Sequence, residues 1–148
     1  MKAKYGLRAM CALHDSDSRW LQARVIAVRA SVPEKFLEAI LVELRRAGFV
    51  DSRRGHLGGH ALAKPAAEVM VGDLIRAIDG PLAPVRCASM TAYQPCSDCR
   101  DPEHCAVREL MRETRAALSG VLDHCSLAAF AERARRETLP QPDPEDGG

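Results

Sequence analysis

Residues 31–59 read SVPEKFLEAILVELRRAGFVDSRRGHLGG, and the reading of this stretch decides the fold. Ser31-Val32-Pro33-Glu34 reads as a tight turn and a helix start. Ser31 or Val32 lies near the N-cap, Pro33 suits the first turn, and Glu34 favours the positive end of the helix dipole. Phe36, Leu37, Ile40, Leu41 and Leu44 recur at helical spacing as one apolar stripe, with Lys35, Glu38, Val42, Arg45 and Arg46 on other faces. A helix is expected from Pro33 to about Ala47, with Gly48 as its left-handed stop. Phe49 to Ser52 then reads as a strand, Arg53 to Gly59 as a glycine-rich hairpin tip, and His60 to Ala63 as the returning strand.

Before this stretch, Ala23 to Ala30 reads as a short helix, entered through an extended Trp20-Leu21. Two short helices joined by a sharp turn and followed by a basic hairpin make a helix-turn-helix with a wing. A further helix covers residues 2–14, with Leu7, Met10, Cys11 and His14 on one side. Another covers Val71 to Asp79 and is closed by Gly80-Pro81. A long helix is expected from Ala106 to about Cys125. Its apolar positions are Val107, Leu110, Met111, Ala117, Leu118, Val121, Leu122 and Cys125. Such a helix after a small domain buries its stripe against a second copy, which predicts a homodimer. Leu127 to Arg136 reads as a short helix, and Leu139 to Gly148 as a disordered Pro/Asp/Glu tail.

The expected fold is therefore mainly α with a small β wing. A winged helix-turn-helix spans residues 1–82, a cysteine-rich sensor loop 83–105, a dimerisation helix 106–126, and a short helix with a tail 127–148. At 148 residues with 47% apolar content, the chain is long enough for one real core. No apolar run reaches the roughly 20 residues of a membrane span, and the N-terminus lacks a signal-peptide pattern, so the expected location is cytoplasmic. The net charge of +1 hides an asymmetry: residues 1–64 carry +6 and the remainder −5. A basic half can attract a polyanion while the acidic half stays clear of it.

The outward face of the third helix offers base-reading chemistry. Lys35 can donate to guanine, Glu38 can accept from a cytosine amino group, and Phe36 can touch a thymine methyl or join the core. Arg53 and Arg54, beside Gly55 and His56 at the wing tip, suit phosphates or a narrow minor groove. No nucleophile–base motif or phosphate loop appears. The glycine run precedes a strand rather than a helix, so it is no dinucleotide fingerprint. An enzyme is not expected.

Four of the six cysteines, Cys87, Cys96, Cys99 and Cys105, cluster among turn residues. In a cytoplasmic chain such clustering points to metal binding or redox chemistry. Thiolates are soft anionic donors for iron–sulfur clusters and zinc, and Cys96-x2-Cys99 can chelate from a single turn. The open alternatives are an iron–sulfur cluster, a structural zinc, or thiols that oxidise to a disulfide. Cys11 and Cys125 fall on apolar helical faces and read as buried thiols. His14, His56, His60 and His124 read as surface or core residues rather than ligands.

Several segments together resemble the Rrf2 family of bacterial regulators. They are Ala3 to Met10, Ile26-Ala27, Pro33 to Glu38, Leu44 to Gly48, Ser52 to Gly55 and Ile78 to Leu82, and the resemblance covers about residues 1–125. It implies a dimeric winged-helix transcription factor, read here as a repressor, recognising a palindromic operator in double-stranded DNA. It further implies that Lys35, Phe36 and Glu38 read bases and that Arg54 is the wing arginine of the minor groove. The Cys99-x5-Cys105 spacing matches the family's last two cluster cysteines, and Cys87 follows Pro84-Val85-Arg86 as the first one does. The resemblance thus implies Cys87, Cys99 and Cys105 as cluster ligands. The usual fourth ligand is missing. Iron–sulfur members carry a histidine where Arg108 stands, and others a carboxylate where Lys4 stands, which leaves Cys96 and, behind it, His104. The family also has a few residues more before Lys4-Tyr5, so this start reads as truncated or misassigned, which would remove phosphate contacts. Its wing carries a proline and a tyrosine that His56-Leu57-Gly58-Gly59-His60 lacks, and its cysteine loop is shorter than this one. The alternative reading is a zinc-stabilised or cofactor-free regulator answering a small-molecule or thiol signal.

Overall fold

The computed structural model describes residues 2–138; the expected tail from Leu139 lies outside them. Six α-helices and one hairpin follow in order: α1 Lys2–His14, α2 Ala23–Ala30, α3 Glu34–Arg46, β1 Val50–Arg53, β2 Gly59–Leu62, α4 Val71–Asp79, α5 Ala106–Leu122 and α6 Leu127–Thr138. α1 packs on α2, α3 and α4, and at Gly6 a Cβ would collide with the Ile78 side chain of α4. The core beneath these helices holds Met10, Ile26, Leu37, Ile40, Leu41, Leu44 and Leu74, all essentially without solvent contact. Each fully buried side chain of this size is worth about 1.5–3 kcal/mol, so this layer fixes the position of α3.

The turn between α2 and α3 differs in detail from the expected one. Ser31 does not cap α3; it closes α2 in the left-handed region at φ 53°. Val32 N–H then returns to the Ala27 carbonyl at 3.0 Å. Pro33 precedes α3 at its N-cap, with no side-chain cap bond, and its carbonyl accepts from Phe36 and Leu37. A second difference is Phe36. It shares the apolar spacing of Leu37 and Ile40 but is 54% exposed, whereas Leu37 and Ile40 are buried.

The hairpin is antiparallel, with Val50 opposite Leu62 and Arg53 opposite Gly59. Leu21 exchanges two backbone hydrogen bonds with His60, at 3.0 and 2.7 Å, so the segment before α2 adds a third short extended piece. This explains Gly59: at φ 140° it lies so close to Leu21 that a Cβ would strike the Leu21 carbonyl.

α5 ends at Leu122, a turn earlier than expected. Asp123 caps it, because the chain must turn there to bring Ser126 against Met70. Cys125 therefore lies outside the helix, half-buried, and its carbonyl accepts from Val71 N–H at 2.8 Å. α6 then returns to the first half of the chain and buries Leu127 and Ala131 against it. The expected apolar positions of α5 divide between two faces. Met111 and Leu122 are half-buried toward the rest of the chain, whereas Val107, Leu110, Leu118 and Val121 are 61%, 57%, 40% and 69% exposed.

Candidate DNA interface and thiol cavity

The exposed face of α3 presents Glu34, Lys35, Phe36, Glu38, Ala39 and Val42. Lys35, Phe36 and Glu38 thus stand together on the free side of the second helix of the helix-turn-helix. Phe36 is held by Tyr5 of α1, whose ring stacks on it at 6.3 Å between centroids and 23° between planes. Tyr5 is a contributor that residue-type reasoning missed, since its partner lies 31 positions away on another helix.

Arg54, Gly55, His56 and Leu57 form the exposed wing tip, with Gly55 at φ 100°. Arg53 stands at the end of β1 rather than in the tip. Its guanidinium lies 6.0 Å from the Trp20 ring, and that of Arg19 lies 5.5 Å from the same ring. Gln22, just before α2, donates its side-chain amide to the His56 carbonyl at 3.1 Å. The wing is therefore braced from the α2 side by Trp20 and Gln22. Sequence reasoning missed both, because their partners lie more than thirty positions away. His60 shares a hydrogen bond with Ser52 at 3.0 Å, and burial, with the nearby Arg45 charge, lowers its pKa from the ordinary value.

The cysteine loop folds into two 3-10 turns, Arg86–Ala88 and Pro102–His104, joined by an irregular segment. Cys87, Cys96, Cys99 and Cys105 all line one cavity of about 490 Å³, together with Asp98, His104 and Arg108. Cys87 is buried, Cys99 and Cys105 are half-buried, and Cys96 is exposed. The neighbouring Cys87 thiol raises the Cys96 pKa above the usual thiol value, with Asp98 and Cys99 adding negative charge. Cys105 stands at the N-cap of α5 and its sulfur accepts from Arg108 N–H at 3.5 Å. His104 is bound to Asp101 at 2.6 Å.

Four soft sulfur donors around one cavity of this size fit the donor chemistry of an iron–sulfur cluster or zinc. Among the described residues, however, no three ligating side chains already stand at metal-binding separations, so the loop must draw together to close a ligand set. Arg108 cannot ligate. It is nearly buried and donates from Nε to the Cys87 carbonyl at 3.0 Å and from Nη1 to the Pro102 carbonyl at 2.9 Å. Tyr93 lies under its guanidinium at 5.5 Å. Lys4 stands exposed on α1 and does not line the cavity. Of the remaining thiols, Cys11 is half-buried and its pKa is pushed up to about 11 by burial and by Asp15, so it stays protonated. No helix among the described residues is long and apolar enough to cross a membrane.

Residues 1–133 match the family model described as Rrf2, an iron-dependent transcriptional regulator. An rrf2-like HTH-type transcriptional regulator of Rhodobacter capsulatus is 42% identical over 130 residues, covering 85% of this chain and 87% of the relative. Two solved structures share the fold. The global cysteine regulator CymR of B. subtilis superposes with a TM-score of 0.70 at 32% identity, over 90% of this chain and 95% of its own. T. potens IscR gives 0.70 at 27% identity, over 96% and 91%.

Proposed function

Because the chain belongs to the Rrf2 family of transcriptional regulators, which are not enzymes, we propose that it acts as a homodimeric repressor whose operator affinity is set by its thiol cavity. Lys35, Phe36 and Glu38 of each protomer read one half-site in the major groove, and Arg54 reaches the adjacent minor groove. Arg53, Gly55 and His56 shape the wing around the phosphates. Two copies of the exposed α5 seam bury each other, which places the two α3 helices for half-sites about one DNA turn apart.

The observation that carries this reading is the convergence of four cysteines at the N-terminus of α5, the helix whose opposite face is apolar and uncovered. Cys87, Cys99 and Cys105, with Cys96 as the fourth donor, would hold an iron–sulfur cluster. The bound cluster supplies redox sensitivity, and the family description as iron-dependent favours it over zinc. Closing the ligand set draws the loop toward α5. That movement alters the spacing of the reading helices without any contact between sensor and DNA.

The shared cavity of Cys87 and Cys96 favours a second reading, a dithiol switch. In that reading both thiols lose their protons and two electrons pass to a peroxide or disulfide oxidant, leaving a sulfur–sulfur bond. The absorption spectrum and metal content of anaerobically purified protein separate the two. Broad visible bands with iron and sulfide are expected; a colourless chain with one zinc, or with neither metal, contradicts the cluster. Binding to duplex DNA is expected to fall steeply with salt, and salt-independent binding contradicts the DNA interface.

A further inference from the structure

Two arginines of α5 hold the segment that carries Cys87. Arg108 donates to the Cys87 carbonyl at 3.0 Å, and Arg115 donates to the Ala88 carbonyl at 2.6 Å. Seven residues apart on an α-helix, they project from nearly the same face, about 20° apart. Arg108 also donates to the Pro102 carbonyl, just ahead of Cys105, and lies 3.4 Å from Glu103. Both ends of the cysteine loop are thereby tied to the first three turns of one helix. Further along the same face, Ser119 and Asp123 meet Arg76 of α4, the latter through two bonds of 2.7 and 2.8 Å. α5 is thus fixed to its own chain by arginine bonds at both ends, while its other face stays apolar.

We propose that Arg108 and Arg115 are positioning residues that transmit the state of the thiol cavity to α5. An apolar contact can slide, because its energy depends on area rather than direction. A guanidinium that is buried, as in Arg108, or half-buried, as in Arg115, cannot, since leaving it without its carbonyl acceptors is costly. When Cys87 is drawn toward another sulfur or a metal, its carbonyl moves, and Arg108 and Arg115 carry α5 with it. The consequence for DNA rests on the reading of the cavity as the sensing site; the coupling itself does not require DNA.

The test compares hydrogen exchange of the α5 amides from Leu110 to Leu122 in the reduced dimer and after oxidation with diamide, which takes up two electrons and two protons as two thiols join. Free-thiol counts report the extent of oxidation. In the wild-type chain, oxidation is expected to change α5 exchange at least fivefold. In R108K and R115Q the change is expected to fall below twofold at the same loss of thiols. R115Q leaves the cavity lining intact and keeps the test informative where R108K fails to fold. An undiminished response in R115Q, or a wild-type α5 that ignores thiol loss, overturns the proposal. If α5 responds but operator affinity does not, the coupling stands and the functional reading falls.

Discussion

Leu110 provides the sharpest test of the proposed dimer. It belongs to the exposed apolar seam of α5 and is 57% exposed. Fully burying a leucine is worth about 1.5–3 kcal/mol, so covering the exposed part in a dimer supplies about 1–1.5 kcal/mol per chain. A twofold interface uses the residue twice, so Leu110→Ala is expected to weaken association by about 2–3 kcal/mol, roughly 30- to 150-fold in Kd. Leu110→Asp is expected to abolish the dimer, because it adds two uncompensated carboxylates at the seam. Sedimentation equilibrium over a concentration series measures the constant, and the helical circular dichroism spectrum checks that each protomer still folds. A dimer constant within twofold of wild type in Leu110→Ala, or a wild-type chain that stays monomeric, refutes the reasoning.

Three further outcomes follow from the same geometry. Glu38→Ala is expected to relax discrimination at one cytosine of each half-site by about 1–3 kcal/mol, and a selection from randomised duplexes that returns the wild-type motif would contradict that role. Gly59→Ala is expected to cost about 2–4 kcal/mol, from left-handed strain and loss of the Leu21–His60 bridge. A thermal melt that does not move would show that the wing is not held there. Arg76 holds the Asp123 carboxyl below its usual pKa through hydrogen bonds. Because the folded value is depressed, the resulting stability is fully present above the ordinary pKa of 3.8 and is lost as pH falls below it. Asp123→Asn should flatten that acid limb and, the pair being partly exposed, cost only about 1 kcal/mol near neutrality. An acid limb identical to wild type would be the contrary result.

The helix-turn-helix and wing were legible because their signals are local. The stripe Leu37, Ile40, Leu41, Leu44 has helical period, Gly48 and Gly55 mark places where φ turns positive, and Leu21 could be read as extended. Phe36 was ambiguous because spacing records that a residue could face the core, not whether a neighbour reaches it. The apolar list for α5 merged two faces for the same reason: Val107 and Met111 are one turn apart, but Val107 is exposed and Met111 half-buried. Arg108 and Arg115 could not be found from sequence. Their acceptors are backbone carbonyls 21 and 27 positions earlier, and such bonds leave no pattern in residue type. The gathering of the cysteines was legible from their number and spacing. The buried arginine between Cys87 and Pro102 was not.

The most direct test of the central claim is the operator affinity of one anaerobic preparation, measured by fluorescence anisotropy before and after the cavity thiols are oxidised or stripped of metal. At least a tenfold change in Kd is expected, and it should be absent from the Cys99→Ala, Cys105→Ala double variant. The same Kd in both states of the wild-type protein would contradict it.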